Sequence, residues 1–254
     1  MTAPTVAPIP SLSPTSYRTW KNCRRQFLLR YVLTLPPSDA ASGASARGDR
    51  IHDILRLIHQ SGECHDDAHV FDVATAHGLT ENDRDQLERH RLRCPDDAAR
   101  GHHEVERFRY HHRSPVFLAS ARLDAVWVRP GLLDVRDYKT GSRYYDRVAD
   151  DPGARIQAWV LWPRAQRQGI ALQLSYEQLA PDVDEDPEPF AVTDDEIAAI
   201  DDELEATVGA MRNEREWAGE TDEIVCRFCE YRSICSQSGA PGEPRWPAAS
   251  LPGD

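Results

Sequence analysis

The first sixty residues follow a helical pattern of apolar positions. Ser13 is a suitable N-cap and Pro14 suits the first helical position, so we predict a helix that starts here and ends at the Pro-Pro pair 36–37. A loop rich in Ala, Ser and Gly over residues 38–46 then leads to a second helix, and His52 lies at its start. The apolar residues at helical spacing in these two helices are Tyr17, Trp20, Phe27, Tyr31, Ile51, Ile54, Leu55 and Ile58.

Further along the chain, apolar and polar residues alternate with the period of two that is typical of strands. The segments that do so are 105–112, 116–128 and 131–139, and the turn residues Arg129, Pro130 and Gly131 separate the last two. We also predict a helix near Glu81–Arg93, a helix over 154–166, a strand over 170–180 and a long helix capped by Thr193. This order of elements predicts an α/β fold with a central mixed β-sheet flanked by helices.

The charge is distributed unevenly along the 254 residues. The acidic segment 181–205, which has no Lys or Arg, accounts for the whole net charge of −12, whereas seven basic residues oppose two acidic ones over 17–50. That asymmetry permits a basic face for phosphates, although ordinary solvated surface explains the same charges. The sequence has no apolar run of bilayer length and no secretory signal pattern, so we expect a cytoplasmic protein that binds no membrane.

Two carboxylates and a lysine meet in the segment "LDAVWVRPGLLDVRDYK". If this segment is a hairpin, Asp124 approaches Asp137 at one sheet edge, and Asp137 and Lys139 point to the same face while Tyr138 points away. An Asp pair with a peptide oxygen suits a hard cation such as Mg²⁺ or Mn²⁺, and a neighbouring lysine stabilises charge on a phosphate. The residues therefore suit metal-assisted phosphodiester hydrolysis, although a surface ion pair gives the same Asp-x-Lys letters.

Three further residues bear on this site. His52 is a candidate metal ligand, although a histidine that only forms local hydrogen bonds at a helix start fits the sequence as well. Glu104, just before the meander, is another candidate carboxylate. Asp134 lies three residues before Asp137, so we expect it to face the opposite side of the strand or the solvent.

Three of the six cysteines form the pattern Cys226-x2-Cys229-x5-Cys235. They are too close in sequence for three structural disulfides, and three thiolates on one short loop need a fourth ligand, for which Cys23 is the natural candidate. Zinc and an iron–sulfur cluster both accept four thiolates. Apolar packing of the cysteines is a third interpretation.

Four segments, in this order, resemble a known family: "SPTSYRTWKNCRRQFLLRY", "RGDRIHDIL", "ARLDAVW" and "DVRDYKTG". They are similar to the RecB-type nucleases of the PD-(D/E)xK superfamily. The resemblance covers the chain from Ser11 to about Pro241, which implies a nuclease domain over 13–240 between a disordered lead-in, 1–12, and a flexible tail, 241–254.

The resemblance also implies a restriction-endonuclease-like fold and a DNA substrate. It implies that His52, Asp124 and Asp137 bind the metal together with the carbonyl of Tyr138. It further implies that Lys139 is the catalytic lysine.

One N-terminal cysteine with a C-terminal Cys-x2-Cys-x5-Cys resembles the iron-staple form of these nucleases, which includes the CRISPR adaptation nuclease and helicase–nuclease subunits. This resemblance implies a 4Fe–4S cluster that ties the N- and C-terminal segments together, and it favours the cluster over zinc. Cys64 and Cys94 lie outside the pattern, and we interpret them as incidental.

One motif departs from the family. A helix after the lysine usually carries a glutamine and then, a turn later, a tyrosine near the DNA. Here Gln157 is followed by Leu161 and Trp162, and a shifted alignment would place Gly153 at the glutamine and Gln157 at the tyrosine. Gln157 is therefore our candidate for positioning the substrate.

The residues and the resemblance together predict a metal-dependent DNA nuclease, an exonuclease on single strands or DNA ends, in repair or CRISPR-related processing. The residues expected to contact DNA are Arg24, Arg25 and Arg47, and Thr140 and Gly141 through backbone amides. The chain has no Walker-type loop, so a helicase, like a CRISPR integrase, would be a separate partner.

Two other hypotheses stay open. The first is a DNA-binding or assembly module that retains the fold and the cluster but has lost turnover. The second is a zinc-stapled interaction protein without a nucleic-acid role, which leaves the Asp-x-Lys pattern unexplained.

Overall fold

The structure is a computed structural model. It describes residues 12–37, 39–61, 66–94, 102–105, 109–141, 146–180, 182–183, 185–220, 222–227 and 229–235, without the side chains at 39–46, 102–105, 109–111 and 223–224. Cys64, the predicted tail and the predicted lead-in up to Ser11 lie outside the described residues. At Leu12 the prediction of a disordered lead-in is wrong, because Leu12 is buried and forms a parallel bridge with Ala119.

The first helical segment is interrupted where a single helix was predicted. It consists of α1 (Pro14–Asn22), α2 (Arg24–Phe27) and a π-helical turn (Leu28–Val32). Ser13 forms a capping box with Ser16 at the start of α1. Cys23 breaks the helix because its backbone is extended, with φ −161°, and its Sγ accepts a hydrogen bond from the amide of Gln26 at 3.4 Å.

Three helices form the next layer: α3 (Asp39–Ser61), α4 (Asp67–Ala76) and α5 (Glu81–Arg93). The bounds of α5 agree with the prediction, and Thr80 caps it. The predicted loop over 38–46 is wrong, because residues from Asp39 onward belong to α3. Its alanines have the highest helix propensity, which explains the longer helix. His52 therefore lies in the middle of α3 and not at its start.

The predicted mixed sheet is confirmed. Its strands are β1 (His102–Val105), β4 (Ala125–Arg129), β5 (Leu132–Lys139), β6 (Ala171–Gln178) and β7 (Phe190–Val192), in the order β1-β4-β5-β6-β7. Strands β5 and β6 are parallel, and the other neighbours are antiparallel.

The parallel pair needs a crossover connection, which α6 (Pro152–Gln168) supplies. The segment predicted as one strand over 116–128 is two strands, because the chain bends at Asp124. Strand β3 (Leu118–Arg122) pairs with β2 (Arg109–Arg113) in a separate two-stranded sheet. Gly131, with φ 74°, turns the chain between β4 and β5 as predicted.

Helices cover both faces of the sheet. Val126, Leu133 and Val135 face one core with α1, α6 and α7 (Asp194–Asn213), which Thr193 caps as predicted. Trp127 and Tyr138, on the alternate positions, face a second core with α3, α4 and α5. The short helix α8 (Glu223–Arg227) belongs to the C-terminal segment. No helix in the described part of the chain is long and apolar enough to cross a membrane.

Candidate active site

The bend between β3 and β4 presents Asp124 to two other elements. One carboxylate oxygen, Oδ1, lies 3.2 Å from Nδ1 of His52 on α3, and the other, Oδ2, accepts a 2.9 Å hydrogen bond from the amide of Tyr138 near the end of β5. The carbonyl oxygen of Tyr138 lies 3.0 Å from Nε2 of His52. The structure therefore brings together the predicted imidazole, carboxylate and peptide carbonyl.

Asp137 and Lys139 occupy the other face of β5 from the Tyr138 side chain, as the period of the strand requires. Their side chains form an ion pair. The ammonium of Lys139 lies 3.8 Å from the centre of the Tyr176 ring, on the neighbouring strand β6. A cation over an aromatic face is attracted to it, so Tyr176 holds the lysine beside Asp137.

The two carboxylates titrate in opposite directions. Burial disfavours ionisation of Asp124, but hydrogen bonds from His52 and Tyr138 and the charge of His52 lower the pKa of Asp124. Burial and then the negative charge of Asp124 raise the pKa of Asp137, although Lys139 acts against this shift. A divalent cation between two such carboxylates would remove their repulsion, so this donor set of oxygens and one imidazole fits Mg²⁺ or Mn²⁺.

The imidazole of His52 responds to the same charges. Burial acts to lower the pKa of His52, but the hydrogen bond and charge of Asp124, with a contribution from Asp137, raise it above the ordinary value. A metal ligand must be neutral at the coordinating nitrogen. A metal bound through His52 would therefore compete with a proton on this imidazole.

An open cleft of about 540 Å³ gives access to these groups. The residues that line it are Ser13, Pro14, Thr15, Arg18, His52, Ser120, Arg122, Asp137, Tyr138, Lys139 and Gln157. Gln157 is only 5% exposed, and its Oε1 has no hydrogen-bond partner among the described residues. A buried amide oxygen without a partner is unfavourable unless a bound molecule uses it, so Gln157 is placed to contact a ligand in the cleft.

A comparison with protein families matches residues 11–236 to the family described as the PD-(D/E)XK nuclease superfamily. The chain belongs to this superfamily. A comparison with curated proteins gives no match.

Two solved structures are distantly similar to this chain. A crystal structure of a candidate exonuclease from Eubacterium rectale is 12% identical with a TM-score of 0.47, and the match covers 80% of this chain and 81% of that chain. The crystal structure of SSO0001 is 14% identical with a TM-score of 0.34, covering 73% of this chain and 81% of that chain. Neither likeness bears on function at these values, and the family assignment rests on residues 11–236.

Sequence reasoning missed a chain of polar residues behind Lys139. The hydroxyl of Tyr176 donates to Asp151 at 2.5 Å, and Asp151 accepts two hydrogen bonds from Arg18, at 3.0 and 2.6 Å. A Cβ at Gly153 would lie 2.3 Å from Nη2 of Arg18, so glycine leaves room for the guanidinium. In the structure, Arg18 thus fills the space beside the position that the shifted alignment assigned to the glutamine. Tyr176 lies opposite Asp137 because of the register between β5 and β6. The sequence alone does not indicate this register.

The arginines predicted to contact DNA do not gather at the cleft. Arg25 is 0% exposed, so the prediction that it contacts DNA is wrong: its apolar neighbours on α2 and the π-helical turn carry it into the core. Arg24 pairs with Glu214 at 2.7 Å, and Arg47 pairs with Asp83 at 2.6 Å.

The remaining residues that the sequence singled out lie in different parts of the structure. Thr140 accepts a hydrogen bond from Gln86 at its carbonyl, and Gly141 is exposed. Glu104 lies opposite Val126 in β1, and its side chain is outside the described set. Asp134 is on the face opposite Asp137, but it is buried against Ser175 and so does not face the solvent.

The four patterned cysteines lie around one small cavity of about 20 Å³. Cys23, Cys226, Cys229 and Cys235 all line it, and none of the four forms a disulfide with another described residue. Burial, and then the charges of Glu230, Cys23 and Cys235, raise the pKa of Cys229 to about 12. A positively charged metal group in the cavity would favour the thiolate form and so lower the pKa of Cys229.

Proposed function

We propose that this chain is a divalent-metal-dependent nuclease of the RecB type that hydrolyses DNA, as an exonuclease on single strands or ends. The observation that carries the proposal is that His52, Asp137, Tyr138 and Lys139 line one open cleft, while Asp124 contacts both His52 and the amide of Tyr138. Residues from α3, the β3–β4 bend and β5 form this set, so only the folded chain assembles it.

The residues that would hold Mg²⁺ or Mn²⁺ are His52, Asp124, Asp137 and the carbonyl of Tyr138. When bound, such a cation lowers the pKa of a water molecule and neutralises charge on the phosphate. Hard oxygen donors are the ligands that these two metals prefer. The charge repulsion between Asp124 and Asp137 supports this assignment.

The chain's own side chains would do the rest of the work. Lys139, held between Asp137 and the ring of Tyr176, keeps a positive charge where negative charge develops on the phosphate. Gln157 offers the cleft an amide oxygen that no described residue uses, which suits it to orient the attacking water. Arg18 and Arg122 line the same cleft and would attract the DNA backbone without regard to sequence.

We also propose that Cys23, Cys226, Cys229 and Cys235 hold a 4Fe–4S cluster with a structural role, in preference to zinc. Their position around one cavity supports a metal group shared by all four, as does the contact of the two terminal segments, in which Glu230 accepts hydrogen bonds from Gln26 and Arg30. The preference for the cluster over zinc rests on the resemblance to the iron-staple nucleases. In the cell we expect a cytoplasmic protein whose partner, a helicase or a CRISPR integrase, is a separate chain.

A second candidate function is a DNA-binding or assembly module without turnover. The departure in α6 favours it, since Leu161 is buried in the core and Trp162 packs against that core, so neither replaces the family's tyrosine at the DNA. The intact Asp124, Asp137 and Lys139 oppose it.

Cleavage of end-labelled single-stranded DNA with Mn²⁺ tests the proposed activity. Lys139→Ala should slow cleavage by about 10²–10³-fold while DNA binding persists, because the lysine acts on charge in the transition state. Lys21→Ala, which removes a surface lysine paired with Glu203, is the matched control and should cleave normally. Full activity of Lys139→Ala would refute the mechanism, and cleavage of circular single strands would refute the exonuclease mode.

Colour and metal content test the cluster. Protein purified without oxygen should be brown and contain about four iron atoms per chain, and Cys229→Ser should remove both. If the wild-type protein is colourless and contains zinc, and Cys229→Ser loses that zinc, the assignment of an iron–sulfur cluster is wrong.

A further inference from the structure

A second group of metal-binding side chains lies behind the catalytic strand. It consists of His59 near the end of α3, and His90 and Cys94 at the end of α5. Nε2 of His90 lies 2.9 Å from Nε2 of His59, which in turn lies 3.3 Å from Sγ of Cys94. Within the described residues this is the one group of three or more His, Cys, Asp or Glu whose ligand atoms all lie within 4.8 Å of one another.

The separations are close to those around a single zinc ion. With Zn–N near 2.0–2.1 Å and Zn–S near 2.3 Å, tetrahedral ligand atoms lie about 3.3–3.6 Å apart. The observed distances of 2.9 and 3.3 Å need only a few tenths of an ångström of expansion. Small rotations of the two imidazole rings supply such movement.

The group is buried, and apolar residues form much of its surroundings. His90 is 1% exposed, and the group is packed among the residues of the second core, such as Leu55, Leu87 and Trp127. The two imidazoles and the thiol make close polar contacts with one another in this buried setting, and their ligand atoms converge on one point. A cation would accept electron pairs from all three at once.

Glu177 already provides the outer partner that metal-binding histidines usually have. Its Oε1 lies 2.7 Å from Nδ1 of His90 and is itself buried. A proton on Nδ1 that is donated to this carboxylate leaves the lone pair on Nε2, which is the nitrogen that faces His59 and Cys94. The carboxylate thus selects the tautomer that can bind a metal.

Tyr138 is the independent observation that a ligand belongs here. Its side chain is 4% exposed, and its hydroxyl has no hydrogen-bond partner among the described residues. The ring lies edge-on to His90, with centroids 5.2 Å apart, and 6.5 Å from the ring of His59. A buried hydroxyl without a described partner, on a ring that packs near both histidines, is a candidate for the fourth ligand of a tetrahedral site.

We propose that His59, His90 and Cys94 bind a zinc ion, with the hydroxyl of Tyr138 at the fourth position, directly or through one water molecule. Imidazole nitrogen and thiolate sulfur select zinc and not Mg²⁺ or Mn²⁺, so this site is chemically distinct from the oxygen-rich catalytic one. It is also separate from the four-cysteine cavity, whose lining includes none of these residues.

The site would hold α3 in place for catalysis. His52 and His59 are seven residues apart on α3, so they share one helix face and lie about 10 Å apart along the axis. Tyr138 links the two sites, because its carbonyl faces His52 and its side chain faces His59 and His90. Zinc that ties α3 to α5 behind β5 would therefore fix the position of His52, which makes His59, His90 and Cys94 positioning residues.

Metal analysis of the full-length protein tests the site. Wild type should contain about one zinc per chain, and His90→Gln and Cys94→Ser should each lose it. The matched control, Cys23→Ser with Cys229→Ser, should lose iron but keep zinc. Zinc that survives both single substitutions, or that disappears in the control, would overturn the proposal.

Cobalt replacement gives a readout that does not depend on the stability of the variants. Chelated wild type should take up Co²⁺ with visible bands of a tetrahedral site and a thiolate charge-transfer band, and Cys94→Ser should lack that band. Glu177→Gln should bind zinc about 10–100-fold more weakly. A wild-type protein that binds neither Zn²⁺ nor Co²⁺ would show that the group is only a protonated hydrogen-bond network, and copper or iron in its place would refute zinc.

Discussion

The two faces of β5 carry donor groups that differ in chemistry and in exposure. On one face, Asp137 and Lys139 open to a cleft of about 540 Å³ and bring oxygen and ammonium groups together. On the other, the Tyr138 side chain lies in a buried core beside two imidazoles and a thiol. A strand with a period of two can thus support a hard, exchangeable cation in front and a soft, enclosed one behind.

The largest expected effect is the difference in DNA cleavage rate between two matched substitutions, one on each face. Asp137→Asn removes a charge from the open face and should slow DNA cleavage by about 10²–10³-fold. Glu177→Gln makes the same chemical change on the buried face and should leave cleavage within about tenfold of wild type, since it acts through zinc affinity and not through the substrate. Rate measurements at saturating Mg²⁺ compare the two, and equal losses would contradict a division of labour between the faces.

The pH dependence of stability should report the His52–Asp124 pair in metal-free protein. The pKa of His52 is raised and that of Asp124 is lowered in the folded protein. The stabilisation by this pair is therefore complete between about pH 3.9 and about pH 6.5, the ordinary pKa values of Asp and His in an unfolded chain. This stability is lost as pH falls through the lowered pKa of Asp124 and as pH rises through the raised pKa of His52.

Thermal denaturation of wild type and His52→Asn in EDTA measures this contribution. The difference in Tm should be largest near pH 5–6 and shrink toward pH 8. With Mg²⁺ the stabilisation should instead grow as pH rises, because the metal needs a neutral His52. A difference in Tm that is constant with pH would contradict the His52–Asp124 interaction.

A smaller effect should distinguish the cleft from the rest of the surface. Arg122 lines the cleft, whereas Arg24 pairs with Glu214 and lies over the Trp20 ring. Arg122→Ala should weaken binding of single-stranded DNA and reduce the slope of log K against log salt by about 1. Arg24→Ala should change neither by a measurable amount. Salt titrations of DNA binding measure both variants. Weaker binding by Arg24→Ala together with unchanged binding by Arg122→Ala would contradict the proposed path of the DNA.

The smallest effect on cleavage should come from Tyr176→Phe. The substitution keeps the ring below Lys139 but removes the hydrogen bond to Asp151, so it should lower the free energy of unfolding by about 1–3 kcal/mol and leave cleavage within about threefold. Tyr176→Leu, which removes the ring as well, should slow cleavage further. Urea denaturation and cleavage rates measure both, and equal rates for the two variants would show that the ring does not hold Lys139.

Local patterns predicted the parts of the site that lie close together in sequence. The turn at Gly131 and the period of the flanking strands correctly placed Asp124 beside the end of β5, and Asp137 and Lys139 on one face. The cap at Thr193 and the helix Glu81–Arg93 were predicted for the same reason, because each depends on neighbouring residues only.

Features that depend on distant contacts were missed or misread. The composition of residues 38–46 suggested a loop, although its alanines continue α3. The charge of Arg25 gave no sign that packing would bury it. Cys94 looked incidental because its neighbours His59 and His90 come from two helices whose docking the sequence does not reveal. Tyr176 was missed for the same reason, since only the register of β5 against β6 brings it to Lys139.

The proposed nuclease mechanism requires a hard cation on the open face of β5 that contacts the phosphate that is cleaved. Single-stranded DNA with sulfur in place of a non-bridging phosphate oxygen tests it most directly, since Mg²⁺ binds sulfur poorly and Mn²⁺ tolerates it. We predict that one sulfur diastereomer is cleaved slowly with Mg²⁺ and that Mn²⁺ restores its rate, in wild type and in Glu177→Gln alike. Equal Mg²⁺-supported rates for both diastereomers and the unmodified DNA would contradict the account.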